Sequence, residues 1–391
     1  MSKITFRLLL LLLLISIALS AFITLPEQQD REMSNFYQHR WIITSDPDTD
    51  QDVNSIAKYL AEFDVIFFGE LHTHSGVHLA QMQLLEVMAQ LNPEITLSME
   101  QFERDTQSYV DDYLDGKIGE KHFIEKARAW GNYTTSYRPL VEFARHHQLP
   151  VIAANAPKDT VICVGRYGLG FLDELSPKNR QYIAQDIDIS AGAYRDKFIS
   201  FLAKTPSHGS THEDSSDDTH DNASDNKADE QWQQWHKDVP CTDQRMDKDV
   251  PCTDQRMEMS EMMQNMLERS FTAQSVRDDT MAESISLHLQ NHPQQQVLHL
   301  NGVFHSSEFL GTVERLGNRM PELKIAVIET VPLATNNKNG HSEKLNSGNV
   351  LLLVNKLPVA FVEADNELEW SKAILEKRKK GRTHCDALKQ P

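Results

Sequence analysis

The amino-acid sequence predicts an α/β protein: a mainly parallel central sheet flanked by helices on both faces, with a helical insertion and a disordered acidic loop. Three observations carry that reading. From Asp64 onward, short β-branched or apolar runs alternate with longer amphipathic stretches, the pattern of successive βα units. At 391 residues and 40% hydrophobic content, the chain can fill the core of one large α/β domain or two smaller ones. Two of the apolar runs lead directly into one spelling, Gly69-Glu70-Leu71-His72 and Gly302-Val303-Phe304-His305. In an open parallel sheet, residues just beyond the carboxyl ends of the strands meet in one crevice.

Taken in order, residues 1–25 read as a signal peptide or signal anchor. Lys3 and Arg7 precede an apolar run over 8–19, and Ala18-Leu19-Ser20 supplies small residues for signal peptidase. Phe22 and Ile23 prolong the run nearly to a membrane span, and no cysteine stands near it for lipid attachment. Residues 40–335 are expected to form the α/β domain, with strands at 65–68, 95–99, 151–154, 297–300 and 325–328. Val77, Leu79, Met82, Leu84, Leu85 and Met88 give a helical period between the first two strands. Residues 103–147 hold further helices, one starting near Pro139 because proline suits the first helical position. Residues 336–391 are read as a closing hairpin, with strands at 350–354 and 359–362, and a basic tail.

A formal net charge of -18 argues against non-specific attraction to nucleic acid or anionic lipid, although much of it is local. Residues 207–231 carry eight acids against one lysine and almost nothing able to enter a core, so a disordered insertion is expected over 205–257. Within it, residues 237–246 recur unchanged at 248–257. This is either a duplicated linker or, with His208, His212, His220 and His236, a metal- or partner-binding tract. Met259, Met262, Met263, Met266 and Leu267, followed by Phe271, Val276 and Met281, are spaced for one helical face. Such a stripe reads as core, or as an adaptable lid over a flat apolar ligand. The four cysteines, Cys163, Cys241, Cys252 and Cys385, are too few for a disulfide scaffold and lack CxxC spacing. Packing is expected to hold the core, and Cys241 can pair with Cys252 in an oxidising compartment.

The strand ends carry the chemistry. Glu70, His72 and His74 follow the first strand, Glu100 closes the second, Asn155 the third, and Asn301 and His305 the fourth. Desolvating so many polar groups at one edge costs free energy unless they are paired, which points to a functional site. Glu70, His72, Glu100 and His305 form a mixed carboxylate and imidazole set suited to a divalent ion such as Mn, Co or Zn. In a hydrolase, Glu70 and Glu100 would be the catalytic carboxylates, Glu100 as a general base beside a metal-bound water. In a second constellation, Trp130 to Pro139, Tyr137 stands at a helix N-terminus beside Arg138, and both would favour a phenolate able to ligate ferric haem. Tyr133 and Tyr137 equally suit aromatic packing with their hydroxyls turned to water.

Gly69-Glu70-Leu71-His72, Met99-Glu100-Gln101-Phe102, Trp130-Gly131-Asn132-Tyr133, Tyr137-Arg138-Pro139-Leu140 and Ala154-Asn155-Ala156-Pro157 together resemble the ChaN-like haem-binding lipoproteins. Arg277-Asp278-Asp279-Thr280-Met281-Ala282 and Asn301-Gly302-Val303-Phe304-His305-Ser306 extend the resemblance over most of 60–330. It implies an iron-regulated envelope protein, exported and periplasmic or membrane-anchored, that serves haem or iron uptake or storage. Haem would be bound through tyrosine (Tyr137 ahead of Tyr133, with Arg138 beside it), and homodimers would enclose stacked haems among envelope uptake partners. The wider superfamily, with Tiki and TraB proteins, carries two GxxH motifs plus a glutamate and includes metal-dependent proteases. A metal-dependent protease or esterase is therefore the alternative. This chain departs from the family in lacking a lipobox cysteine and in carrying the acidic, duplicated insertion.

Overall fold

A computed structural model describes residues 33–204, 252–333, 342–380 and 384–390. The predicted signal segment, the acidic stretch and most of the duplication lie outside the described residues.

The strands are β1 (His39–Ile43), β2 (Asp46–Gln51), β3 (Val65–Glu70), β4 (Thr96–Glu103), β5 (Val151–Asn155), β6 (Val297–Gly302), β7 (Ile325–Leu333) and β8 (Val350–Asn355). They form one sheet in the order β2-β1-β8-β7-β3-β6-β4-β5, in which every pairing from β8 to β5 is parallel. The hairpin β1–β2, absent from the sequence reading, adds antiparallel to β8.

The helices are α1 (Val53–Leu60), α2 (Ser75–Leu91), α3 (Gln107–Leu114), α4 (Glu120–Lys126), α5 (Arg138–His147), α6 (Lys158–Tyr167), α7 (Pro177–Arg180), α8 (Ala193–Lys204), α9 (Cys252–Asn291), α10 (Thr312–Arg319) and α11 (Ala364–Lys380). Successive side chains of a strand point to opposite faces. Ile66 and Phe68 of β3 accordingly join the layer formed by α1 to α5, while Val65 and Phe67 meet Ala282, Ile285 and Leu289 of α9 and Val313 and Leu316 of α10. With helices on both sides, β3 and β6 are buried along their whole length, as parallel strands usually are.

Three expectations are corrected. Residues 359–362 form no strand, and Val359 and Val362 are exposed. The backbone groups of β8 are already taken by β7 and β1, so no partner edge remains for a closing hairpin. Among the described side chains of the methionine stripe, Phe271, Val276 and Met281 are buried, but Met262 and Met266 on the 40-residue α9 are exposed. The side chains of Met259 and Met263 lie outside the described residues. Packing alone does not hold the fold either, since Cys163 in α6 is disulfide-bonded to Cys385 across 222 residues. Leu388, just beyond, packs into the same cluster.

Candidate functional site at the strand carboxyl ends

β3 and β6 are neighbours, with Gly69 opposite Asn301 and Glu70 opposite Gly302, so the two GxxH segments leave the sheet side by side. Each glycine makes room for the other segment. A Cβ on Gly302 would lie 2.8 Å from Nε2 of His72, and one on Gly69 would lie 3.1 Å from Cα of Val303 and 3.0 Å from Oγ of Ser306.

The four residues expected to converge resolve into two carboxylate–imidazole pairs. Nδ1 of His72 donates to Oε1 of Glu70 at 2.7 Å, and that oxygen also accepts from Oη of Tyr137 at 2.6 Å and Nε2 of Gln101 at 3.0 Å. The second oxygen of Glu70 accepts from Gln81. Burial pushes the Glu70 carboxyl up, but these donors, His72 first among them, outweigh it and hold it below its ordinary range. The backbone carbonyl of His72 is gripped by Nε2 of His78 and Nδ2 of Asn132, each at 2.8 Å, and its ring meets Trp130 edge-on. With Nδ1 donating to Glu70, Nε2 is the basic nitrogen of His72.

In the second pair, Nδ1 of His305 donates to Oδ1 of Asp278 in α9 at 2.7 Å, and its Nε2 stands 3.4 Å from Oε1 of Glu100. Asp278 also accepts from Tyr194 and Thr312. Burial lowers the His305 imidazole, but the charges of Glu100 and Asp278 outweigh that and raise it to about 10. Glu100 feels burial upward and the His305 charge downward, with the downward pull dominant. Its other oxygen accepts from the backbone N–H of Gly302 at 2.7 Å, and Nδ2 of Asn155 donates to its carbonyl. Glu100 therefore stands between the two histidines as an ionised carboxylate.

Among the described residues no group of three or more His, Cys, Asp and Glu is placed to hold a metal ion. In this conformation Glu70 meets four side-chain donors, and Nδ1 of His305 is held by Asp278. His74 is structural as well, capping α2 through Nδ1 and reaching the carbonyl of Asn355 with Nε2.

The second constellation also differs from its sequence reading. Arg138 pairs with Glu120 rather than with a phenol. Tyr137 is fully buried at the end of a π-helical turn, Tyr133–Tyr137, and burial together with the Glu70 charge pushes its hydroxyl well above its ordinary value. It is a neutral donor. Tyr133 is buried among Phe102 and Phe123, with a hydroxyl that has no hydrogen-bond partner among the described residues. In this conformation neither phenol presents an open coordination position to a haem. Tyr167, by contrast, is 64% exposed and stacks on Phe171. It ends α6 where Arg269 of α9 donates to the carbonyl of Arg166.

Sequence reasoning passed over Gln81, Gln101, Asp278 and Tyr194. Asp278 lay inside a segment noted for its resemblance, but no local pattern tied it to His305.

The family model described as "Haem-binding uptake, Tiki superfamily, ChaN" matches residues 56–316, and the chain belongs to that family. Among solved structures, "Cofacial heme binding to ChaN of Campylobacter jejuni" is similar at a TM-score of 0.50 and 12% identity, covering 81% of this chain and 97% of that one. An erythromycin esterase mutant, EreC, in its open conformation is similar at a TM-score of 0.42 and 10% identity, covering 82% and 99%. A succinoglycan biosynthesis protein is similar at 0.41 and 8%, covering 78% and 91%. No curated protein sequence matches the chain.

Proposed function

We propose that this protein binds haem at the cell envelope, in haem or iron uptake or storage, and ligates the iron through tyrosine. The observation that carries the reading is membership of the haem-binding uptake family across residues 56–316. Tyr167 is an exposed phenol at the end of α6, where Arg269 of α9 reaches the preceding carbonyl, whereas Tyr137 or Tyr133 can serve only if the π-helical turn opens. Cofacial binding, as the Campylobacter jejuni protein is described, implies a homodimer around paired haems and a transfer partner in the envelope. The buried Cys163–Cys385 disulfide supports export, because such bonds persist in oxidising compartments. Haemin titration tests the proposal: a stoichiometric Soret shift is expected, weakened in Tyr167→Phe, with haem-dependent dimers on size exclusion. No shift overturns it, and a shift lost only in Tyr137→Phe or Tyr133→Phe moves the ligand to that residue.

One observation favours a second reading, hydrolysis at the strand ends. Two imidazoles, each held by a buried carboxylate, flank Glu100. His72 would act as general base and the protonated His305 would stabilise developing negative charge. Ester or peptide turnover that survives a chelator and is lost in His72→Gln supports it, and absence of turnover counts against it.

A further inference from the structure

Residues 129–132, between α4 and the π-helical turn, lie across the first GxxH segment. The Trp130 ring meets that of His72 edge-on at 4.9 Å between centroids and that of Tyr137 at 6.0 Å, and Nδ2 of Asn132 holds the His72 carbonyl at 2.8 Å. His72 is left 9% exposed. The covering segment is itself lightly packed. None of its four residues is buried, and a Cβ on the exposed Gly131 would meet nothing within 4 Å. The amide oxygen of Asn132 is shut away from solvent with no hydrogen-bond partner among the described residues, a cost that contact with water would relieve.

Both ends of this segment depart from ordinary backbone geometry. Arg128, just beyond α4, takes a φ of 51°, and the N–H of Ala129 reaches back to the carbonyl of Ile124 at 3.0 Å. A left-handed helix end of this kind is the usual place for glycine, and a side chain there costs free energy. The guanidinium accounts for the arginine: it pairs with Glu103 at the end of β4 and with Asp105 just after it. At the other end, the π-helical turn Tyr133–Tyr137 holds one residue more than an α-helical turn, so it can absorb a shift of register. We propose that residues 129–132 are a lid on the strand-end site, turning about Arg128 and the π-helical turn to carry the Trp130 ring off His72. The pairing of Arg128 with Glu103 and Asp105 is the tether that keeps it closed. Tyr133 and Tyr137, fully buried, stay in place. Hinges of this kind sit at element ends and absorb the backbone change. The lid controls access to His72 and does not depend on haem ligation.

Histidine modification in the full-length, oxidised protein tests this, with diethyl pyrocarbonate as the probe and peptide mass spectrometry resolving each site. The exposed His146 serves as reference, and the fully buried His74 reports unfolding. In the parent, His72 is expected to react far more slowly than His146. Trp130→Ala removes the cover and should raise the His72 rate at least about tenfold, while Arg128→Gly keeps the cover, cuts the tether and should raise it at least about threefold. Asp105→Asn weakens the same tether from the other side and should act in the same direction. His74 should stay unreactive throughout. In hydrogen exchange, the amides of Ala129 and Tyr133 should exchange at least about tenfold faster than those in the body of α5. His72 reacting as fast as His146 in the parent, or at the parent rate in Trp130→Ala, overturns the proposal, because the ring is then not covered by Trp130. A rise in Trp130→Ala without one in either tether variant overturns it by making Trp130 a fixed packing group. Exchange of the two amides in step with α5 overturns it as well, and a rise shared by His74 does so by assigning the exposure to unfolding.

Discussion

A Cβ placed on Gly302 would lie 2.8 Å from Nε2 of His72, so the glycine of the second GxxH segment makes room for the histidine of the first. The relation is reciprocal, because Gly69 is hemmed by Val303, Ser306 and the carbonyl of Ile328. Gly302→Ala should displace the His72 ring and cost about 1–3 kcal/mol, as overpacking of a filled interior does. Thermal melting and histidine NMR measure the two effects. An unshifted His72 resonance would mean that Gly302 does not set the ring's position.

His305 should make stability fall on the alkaline side. Burial alone lowers its pKa, but Glu100 and Asp278 raise it from 6.5 to about 10. The stabilisation is therefore complete below about 6.5 and is lost as pH rises through about 10. The parent should lose melting temperature over that window more steeply than His305→Gln. The variant itself, which strands two buried carboxylates, should start about 3–5 kcal/mol lower.

Removing the Tyr137 hydroxyl takes one of four donors from Glu70. Tyr137→Phe should cost about 0.5–1.5 kcal/mol in denaturant unfolding, while leaving the haem spectrum as in the parent. A larger spectral than stability effect would reverse the assignment of Tyr137 as a structural donor.

The disulfide closes a loop across 222 residues. Cys163→Ser/Cys385→Ser should lose about 2–5 kcal/mol, although loop entropy is only part of such effects. The parent under reductant should approach the variant's melting temperature. An unchanged melting temperature in both would show that the tail contributes nothing to global stability.

Much of the scaffold was legible because its determinants are local. The apolar runs ahead of Gly69 and Gly302 became β3 and β6, Pro139 marked the start of α5, and the two GxxH spellings met at one sheet edge. The runs at 359–362 and at the head of the methionine stripe misled for one reason: apolar sequence says that a segment can be buried, not that a partner is present. Residues 359–362 found no free strand edge on β8, and Met262 and Met266 of α9 are exposed.

Sequence by itself determined the α/β class, the parallel strands and the collection of Glu70, His72, Glu100 and His305 at their ends, because period and strand termini are written in neighbouring residues. Only the tertiary structure decided what those groups do to one another. Tyr137, beside Arg138 in sequence, instead donates a hydrogen bond to Glu70, and His305 is held charged by Glu100 and by Asp278, which lies 27 residues before it on a helix. Protonation and ligand capacity depend on which buried dipoles and charges converge within a few ångströms, and that convergence is a property of packing.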